Sequence, residues 1–338
     1  MTRRRRLTIF PIFRGPVLAA VLAVSTACTP RVFPPGPGSF AAAIEDGNVI
    51  ARDGARLPIR TWMPEGPPKA VIIALHGFND YSNFFAKPGA YFARRGIISY
   101  AFDQRGFGRS INHGLWAGVD AYADDLRSAA RAVGARHPGL PLYLLGESMG
   151  GAVIMVAMTG PRPIEADGII LAAPAVWGRE TMPWYQRAAL FAGSHIMPEV
   201  TVSGESLRIK PSDNIEMLRA LGRDPLVIKE TRIDALYGLA NLMDAALEAS
   251  RRLDAPALIL YGKNDQVVPK PPTMMMLSRL PRDPKSRRVA FYTDGYHMLL
   301  RDLQAETVYR DIAAWINNRS APLPSGADAD ASAFMANN

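Results

Sequence analysis

The sequence predicts an α/β fold, a mostly parallel central sheet flanked by helices and interrupted once by an inserted helical cap. Two observations carry that prediction. Short β-branched and apolar runs alternate with longer stretches of helical periodicity. Between residues 175 and 252 the alternation stops, for a length no plain loop covers in a compact domain, so this stretch should bring helices of its own and lie over the sheet.

In chain order, the Asp53-Gly54 turn leads into an early antiparallel strand at 56–63. Buried strands follow at 70–75, 97–102, 142–145, 168–171, 257–261 and 288–292, each a run of apolar residues as expected of strands covered on both faces. Between them, helical patterns occupy 84–95, 121–136, 149–158, 273–279 and 302–317. The body is thus 41–174 together with 253–319, and the cap is 175–252. Residues 29–40 are rich in Pro and Gly and suit an extended tether. Residues 320–338, small and polar with two early prolines, read as a disordered tail.

The chain has 338 residues, of which 48% are hydrophobic and 21% charged, enough to bury a large core and unlike a disordered composition. The formal charge is +8, but Arg3, Arg4, Arg5, Arg6 and Arg14 fall within the first 28 residues, where no acid balances them. The remaining basic residues are scattered among acids without an aromatic stripe, so nucleic-acid binding is not expected.

The basic start instead belongs to an export signal at 1–28: arginines, then the apolar run 15–27, then the small residues Ser25, Thr26 and Ala27. Thirteen apolar residues fall short of the roughly 20 needed to span a bilayer. Cys28 is the single cysteine, which excludes an internal disulfide. Val24-Ser25-Thr26-Ala27-Cys28 resembles a bacterial lipoprotein processing site, although Ser25 stands where that pattern prefers leucine. The resemblance implies lipidation at Cys28 and a cell-envelope protein tethered to a membrane. The alternative is cleavage after Ala27, giving a soluble periplasmic or secreted protein.

Chemistry is signalled first by Gly146-Glu147-Ser148-Met149-Gly150, set between an apolar strand and a helix. A serine hydroxyl attacks only when it is held exposed beside a base, and a turn this sharp needs glycines on either side of the serine. Ser148 is therefore the expected nucleophile. His76-Gly77-Phe78 ends the 70–75 strand, and the amides of Phe78 and Met149 are the expected donors to an oxyanion. His76 itself is expected to brace the loop. Asp265 and His297 each follow a predicted strand, completing the chain order Ser, Asp, His. Asp294 competes with Asp265, but it lies only three residues from His297 and would struggle to reach the ring edge-on. His113, His137 and His195 read as surface or cap residues, and no metal-ligand spacing is evident.

Together His76-Gly77-Phe78-Asn79-Asp80, the 102–110 segment Phe-Asp-Gln-Arg-Gly-Phe-Gly-Arg-Ser, the Gly-Glu-Ser-Met-Gly-Gly elbow, the Asp265 loop and Gly295-Tyr296-His297 resemble the monoacylglycerol lipase and lysophospholipase branch of the α/β-hydrolases, over about residues 45–318. The resemblance implies a serine ester hydrolase with no metal or organic cofactor, acting on a small-molecule acyl ester. It also implies a structural role for Asp103 and Arg105. Glu147 departs from it, since several relatives carry histidine there, and bears on substrate preference. In the cap, Trp177, Trp184 and Tyr185 head an apolar segment expected to receive an acyl chain. Two other functions stay open: an exported aminopeptidase, for which Glu180, Glu199 and Glu205 could bind a substrate amine, and a non-catalytic binding protein. Nothing in the sequence fixes the oligomeric state.

Overall fold

The computed structural model describes residues 29–204, 209–281 and 287–329. Cys28, the export signal and Glu205 lie outside them. Within the described residues, strands β1 (Ala43–Glu45), β2 (Asn48–Ile50), β3 (Arg56–Trp62), β4 (Ala70–Leu75), β5 (Ile97–Phe102), β6 (Leu142–Glu147), β7 (Gly168–Ala172), β10 (Ala257–Gly262) and β11 (Arg287–Tyr292) form one sheet in the order β1-β2-β3-β5-β4-β6-β7-β10-β11. Every pairing from β5 to β11 is parallel, and β1, β2 and β3 add an antiparallel edge. This is the α/β-hydrolase architecture anticipated from the sequence. The β1–β2 hairpin was not anticipated, because three-residue strands leave too short a pattern to detect.

Side chains alternate across a strand, and the two faces of the sheet build two cores. Val71, Ile73 and Leu75 of β4 face one side with Leu144 of β6, where they meet helices α2 (Val119–Arg136) and α3 (Met149–Thr159). Ile72 and Ala74 face the other with Tyr143 and Leu145, against α1 (Ala86–Ala93) and α8 (Ala305–Asn317). Helix α7 (Lys270–Arg279) begins with prolines at its first positions, where the missing N–H costs nothing.

The insertion carries α4 (Trp184–Ile196), α5 (Ile215–Arg223), α6 (Ile233–Ala249) and an antiparallel ribbon of β8 (Thr201–Ser203) with β9 (Glu230–Arg232). It is less separate than expected. Leu242, Ala246 and Leu247 of α6 are buried in the same core as α3, so the last helix of the 175–252 stretch packs as part of the body.

Both ends depart from the sequence expectation. The 29–40 segment is extended but not free: Phe33 N–H donates to Trp116 O at 2.8 Å, Gly36 N–H to Asp53 at 3.2 Å, and Phe40 N–H to Arg52 O at 2.8 Å. Residues 320–329 are not a solvated tail. Leu323 and Ala327 are buried in the α8 core, Asp328 pairs with Arg288, and Ser325 N–H donates to the buried Asp311 at 3.1 Å. Composition hid this, because one leucine and one alanine suffice to fill the site that α8 leaves open.

Candidate active site

The parallel strands end along one edge of the sheet, and three loops meet there. Ser148 follows β6 directly, with φ 54° and ψ −114°, a left-handed conformation that a non-glycine residue adopts only when its surroundings enforce it. Its neighbours explain how. A Cβ on Gly146 would stand 2.4 Å from the Gly150 carbonyl carbon, and one on Gly150 would stand 2.3 Å from Leu75 O. Ser148 N–H donates to Ala172 O at 2.9 Å, and Ser148 O accepts from Ala175 N–H at 2.9 Å, which fastens the turn to the end of β7.

Two strands further along, the loops after β10 and β11 are zipped together. Lys263 N–H donates to Tyr292 O and Asn264 N–H to Gly295 O, both at 2.9 Å. This brings His297 Nδ1–H to Asp265 Oδ2 at 2.8 Å, with both residues buried. The other carboxylate oxygen, Oδ1, accepts from Val267 N–H at 2.8 Å and Val268 N–H at 2.9 Å, so the carboxylate cannot swing away. Burial alone would depress the His297 pKa. The Asp265 charge and its hydrogen bond, aided by Glu147, outweigh burial and raise it above the ordinary value. Asp294 instead lies at the surface and accepts from Gln304.

The loop after β4 supplies the third piece. Gly77 lies against the nucleophile, since a Cβ there would sit 3.4 Å from Ser148 Cβ. Neither Phe78 N–H nor Met149 N–H donates a backbone hydrogen bond among the described residues, leaving both available. His76 is fully buried; its Nδ1–H donates to Gly77 O at 2.8 Å and its Nε2 accepts from Gln104 N–H at 3.0 Å. It braces the loop, as the sequence indicated. Asp103 does the same for the next loop, accepting from Ser82 N–H at 3.0 Å and Arg109 N–H at 2.8 Å. Arg105 forks between the half-buried Asp53 and the buried Asp125, pinning the Asp53-Gly54 turn to α2.

No hydrogen bond joins Ser148 to His297 among the described residues. The structure therefore brings Asp265 and His297 into contact and sets Ser148 beside Gly77 at the same sheet edge. Trp177 is partly buried against the body, whereas Trp184 and Tyr185 are 76% and 57% exposed on α4. A cavity of about 730 Å³ lies at the opposite end of the sheet, lined by Arg52, Asp124, Arg131 and Asp167. The described residues hold no group of three or more metal-ligating side chains.

Comparison with known proteins adds the family. The Hydrolase_4 model, described as serine aminopeptidase S33, matches residues 66–304, more than half of the chain. The chain belongs to that family. As one of these hydrolases, it is 25% identical over 278 residues to a monoacylglycerol lipase of Mycolicibacterium smegmatis, covering 78% of this chain and 93% of that one. Human monoglyceride lipase is 24% identical over 280 residues, covering 81% and 91%. In fold, the hydrolase resembles the crystal structure of Paleococcus ferrophilus monoacylglycerol lipase, with a TM-score of 0.64 at 22% identity over 78% of this chain and 99% of that one. A soluble variant of Saccharomyces cerevisiae monoglyceride lipase in complex with a substrate analogue gives 0.68 at 19% identity, over 86% and 100%.

Sequence reasoning missed two charged residues at this hydrolase's site, Arg301 and Asp80. Arg301 pairs with Asp80 at 2.6 Å and with Glu147 at 2.9 Å, and all three are buried. The signal was present: a lone arginine after Met298-Leu299-Leu300, one turn beyond the histidine.

Proposed function

We propose that the protein is a serine ester hydrolase acting on lipid esters of the monoacylglycerol or lysophospholipid kind, with Ser148 as nucleophile, His297 as general base and Asp265 as the residue that orients it. The observation that carries this is the buried Asp265–His297 hydrogen bond at the sheet edge that presents the strained Ser148 turn. With Nδ1–H committed to Asp265, Nε2 is the basic nitrogen. It takes the Ser148 proton as the hydroxyl oxygen attacks the ester carbonyl, and the Phe78 and Met149 amides receive the developing oxyanion. Protonated His297 then gives its proton to the departing alcohol. Water hydrolyses the acyl-serine by the same route, returning the enzyme.

Esters are favoured over peptides because two of the three cap acids that would hold a substrate amine, the two among the described residues, already have partners. Glu180 pairs with Arg279 and Glu199 with Arg31, both at the surface. A lipid substrate is supported by the relatives' activity and by the cap, where Trp184, Tyr185, Phe191, Ile196 and Met197 expose large apolar surface within one short stretch. Ser148→Ala should abolish turnover of a monoacylglycerol while leaving the unfolding midpoint within about 2 °C of wild type. Retained esterase activity in that variant, or turnover that falls as the acyl chain lengthens, would overturn the assignment.

Export and lipidation at Cys28 belong to the same proposal, because a membrane tether would keep such an enzyme beside its substrate. Intact mass of the mature protein decides it: a diacylglyceryl adduct at Cys28 is expected, and an unmodified N-terminus at residue 28 would refute it.

A further inference from the structure

Under the nucleophile turn lies an ionic cluster that acyl transfer does not itself require. Arg301 Nη1–H donates to Asp80 Oδ2 at 2.6 Å and Nη2–H to Glu147 Oε2 at 2.9 Å. Each partner belongs to a different loop of the site. Asp80 closes the oxyanion loop, its N–H donating to Gly77 O at 3.3 Å and its Oδ1 accepting from Tyr81 N–H at 2.8 Å. Glu147 immediately precedes Ser148, and Arg301 stands four residues after His297. One guanidinium therefore ties together the loops carrying the oxyanion donor, the nucleophile and the base.

Stability alone is a poor reason for such a cluster, since burying charges costs more than packing apolar groups of the same volume. Its satisfaction is also incomplete: Glu147 Oε1 and Arg301 Nε are buried without a hydrogen-bond partner. What the cluster supplies is fixed separation between loops, together with charge close to the base. The charged groups facing His297 are Asp265, Glu147 and Arg301; those facing Glu147 are Arg301, Asp80 and His297. Glu147 favours the protonated imidazole, and Arg301 opposes it.

We propose that Arg301 is a positioning residue for the reaction: by gripping Asp80 and Glu147 it holds the loop that carries the Phe78 amide in place against the Ser148 turn. The inference rests on the Ser148, His297 and Asp265 assignment above.

Arg301→Met, Arg301→Lys and Glu147→Gln in the full-length protein test it, with kcat and KM measured on a p-nitrophenyl ester. For Arg301→Met, kcat should fall about 100-fold, the scale of losing one oxyanion donor, with KM within about 3-fold. Arg301→Lys should recover part of that loss. Glu147→Gln weakens one of the two grips and should lower kcat about 10-fold with KM within about 3-fold, a split that general destabilisation would not produce. The proposal is overturned if Arg301→Met or Glu147→Gln keeps kcat within about 3-fold of wild type. Should Arg301→Met not fold, the nearly isosteric Glu147→Gln decides alone. If wild type neither turns over esters nor labels at Ser148 with a fluorophosphonate, the triad assignment fails and this inference with it. If wild type does both and the variants match it, only this inference fails.

Discussion

Asp265 shows how a single carboxylate is made into a fixed reference for a base. Two backbone N–H groups hold Oδ1 and the imidazole takes Oδ2, so the ring it orients has one tautomer available. The same contact sets the working pH. Because burial is outweighed by the Asp265 charge and hydrogen bond, His297 holds its proton to a pH above the ordinary histidine value near 6.5. The base works only when neutral, so activity must be lost as pH falls through that raised value. The acid limb of kcat/KM is accordingly expected to centre above about 6.5 with unit slope. A limb centred well below that would mean the Asp265 contact does not persist in solution.

At the scale of the element, the nucleophile turn is made by two absent side chains. Gly150 is the tighter of the two, since a methyl there meets the Leu75 backbone carbonyl at 2.3 Å, where no flexible side chain can give way. Gly150→Ala should therefore push α3 off the end of β4, costing about 1–3 kcal/mol and most of the turnover. Chemical denaturation and an ester assay on the same preparation check both parts. This element was legible in the sequence because glycine spacing, an apolar run before it and a helical pattern after it all state the same geometry. The parallel strands were legible for a similar reason: β4 is apolar along its whole length and β5 at all but Ser99, as expected of strands covered on both faces. What escaped is what depends on partners distant in the chain. The Arg301 cluster joins residues 80, 147 and 301, and no local pattern tells a buried arginine from a solvated one. The cap aromatics are a different case. Trp184 and Tyr185 have the composition of a pocket wall, but on α4 only Ser194 is buried, so these side chains look outward.

Across the whole molecule, the two ends of the folded chain act as clasps. Residues 29–40 run over the body from the cap, where Arg31 meets Glu199, to the Asp53 turn, where Gly36 shares the carboxylate that Arg105 grips. The opposite end is closed by the 320–329 segment. Leu323 is 4% exposed, and Ser325 N–H satisfies Asp311 Oδ1, while Tyr292 donates to Asp311 Oδ2 at 2.9 Å. A tail chosen for solubility would tolerate any substitution at 323. A clasp would not, because truncating a buried leucine loses its transfer energy and leaves a void beside α8. Leu323→Ala should therefore lower unfolding stability by about 2–3 kcal/mol with an unchanged denaturant slope. A shift below about 0.5 kcal/mol, the range of ordinary surface substitutions, would show that the segment leaves the body in solution.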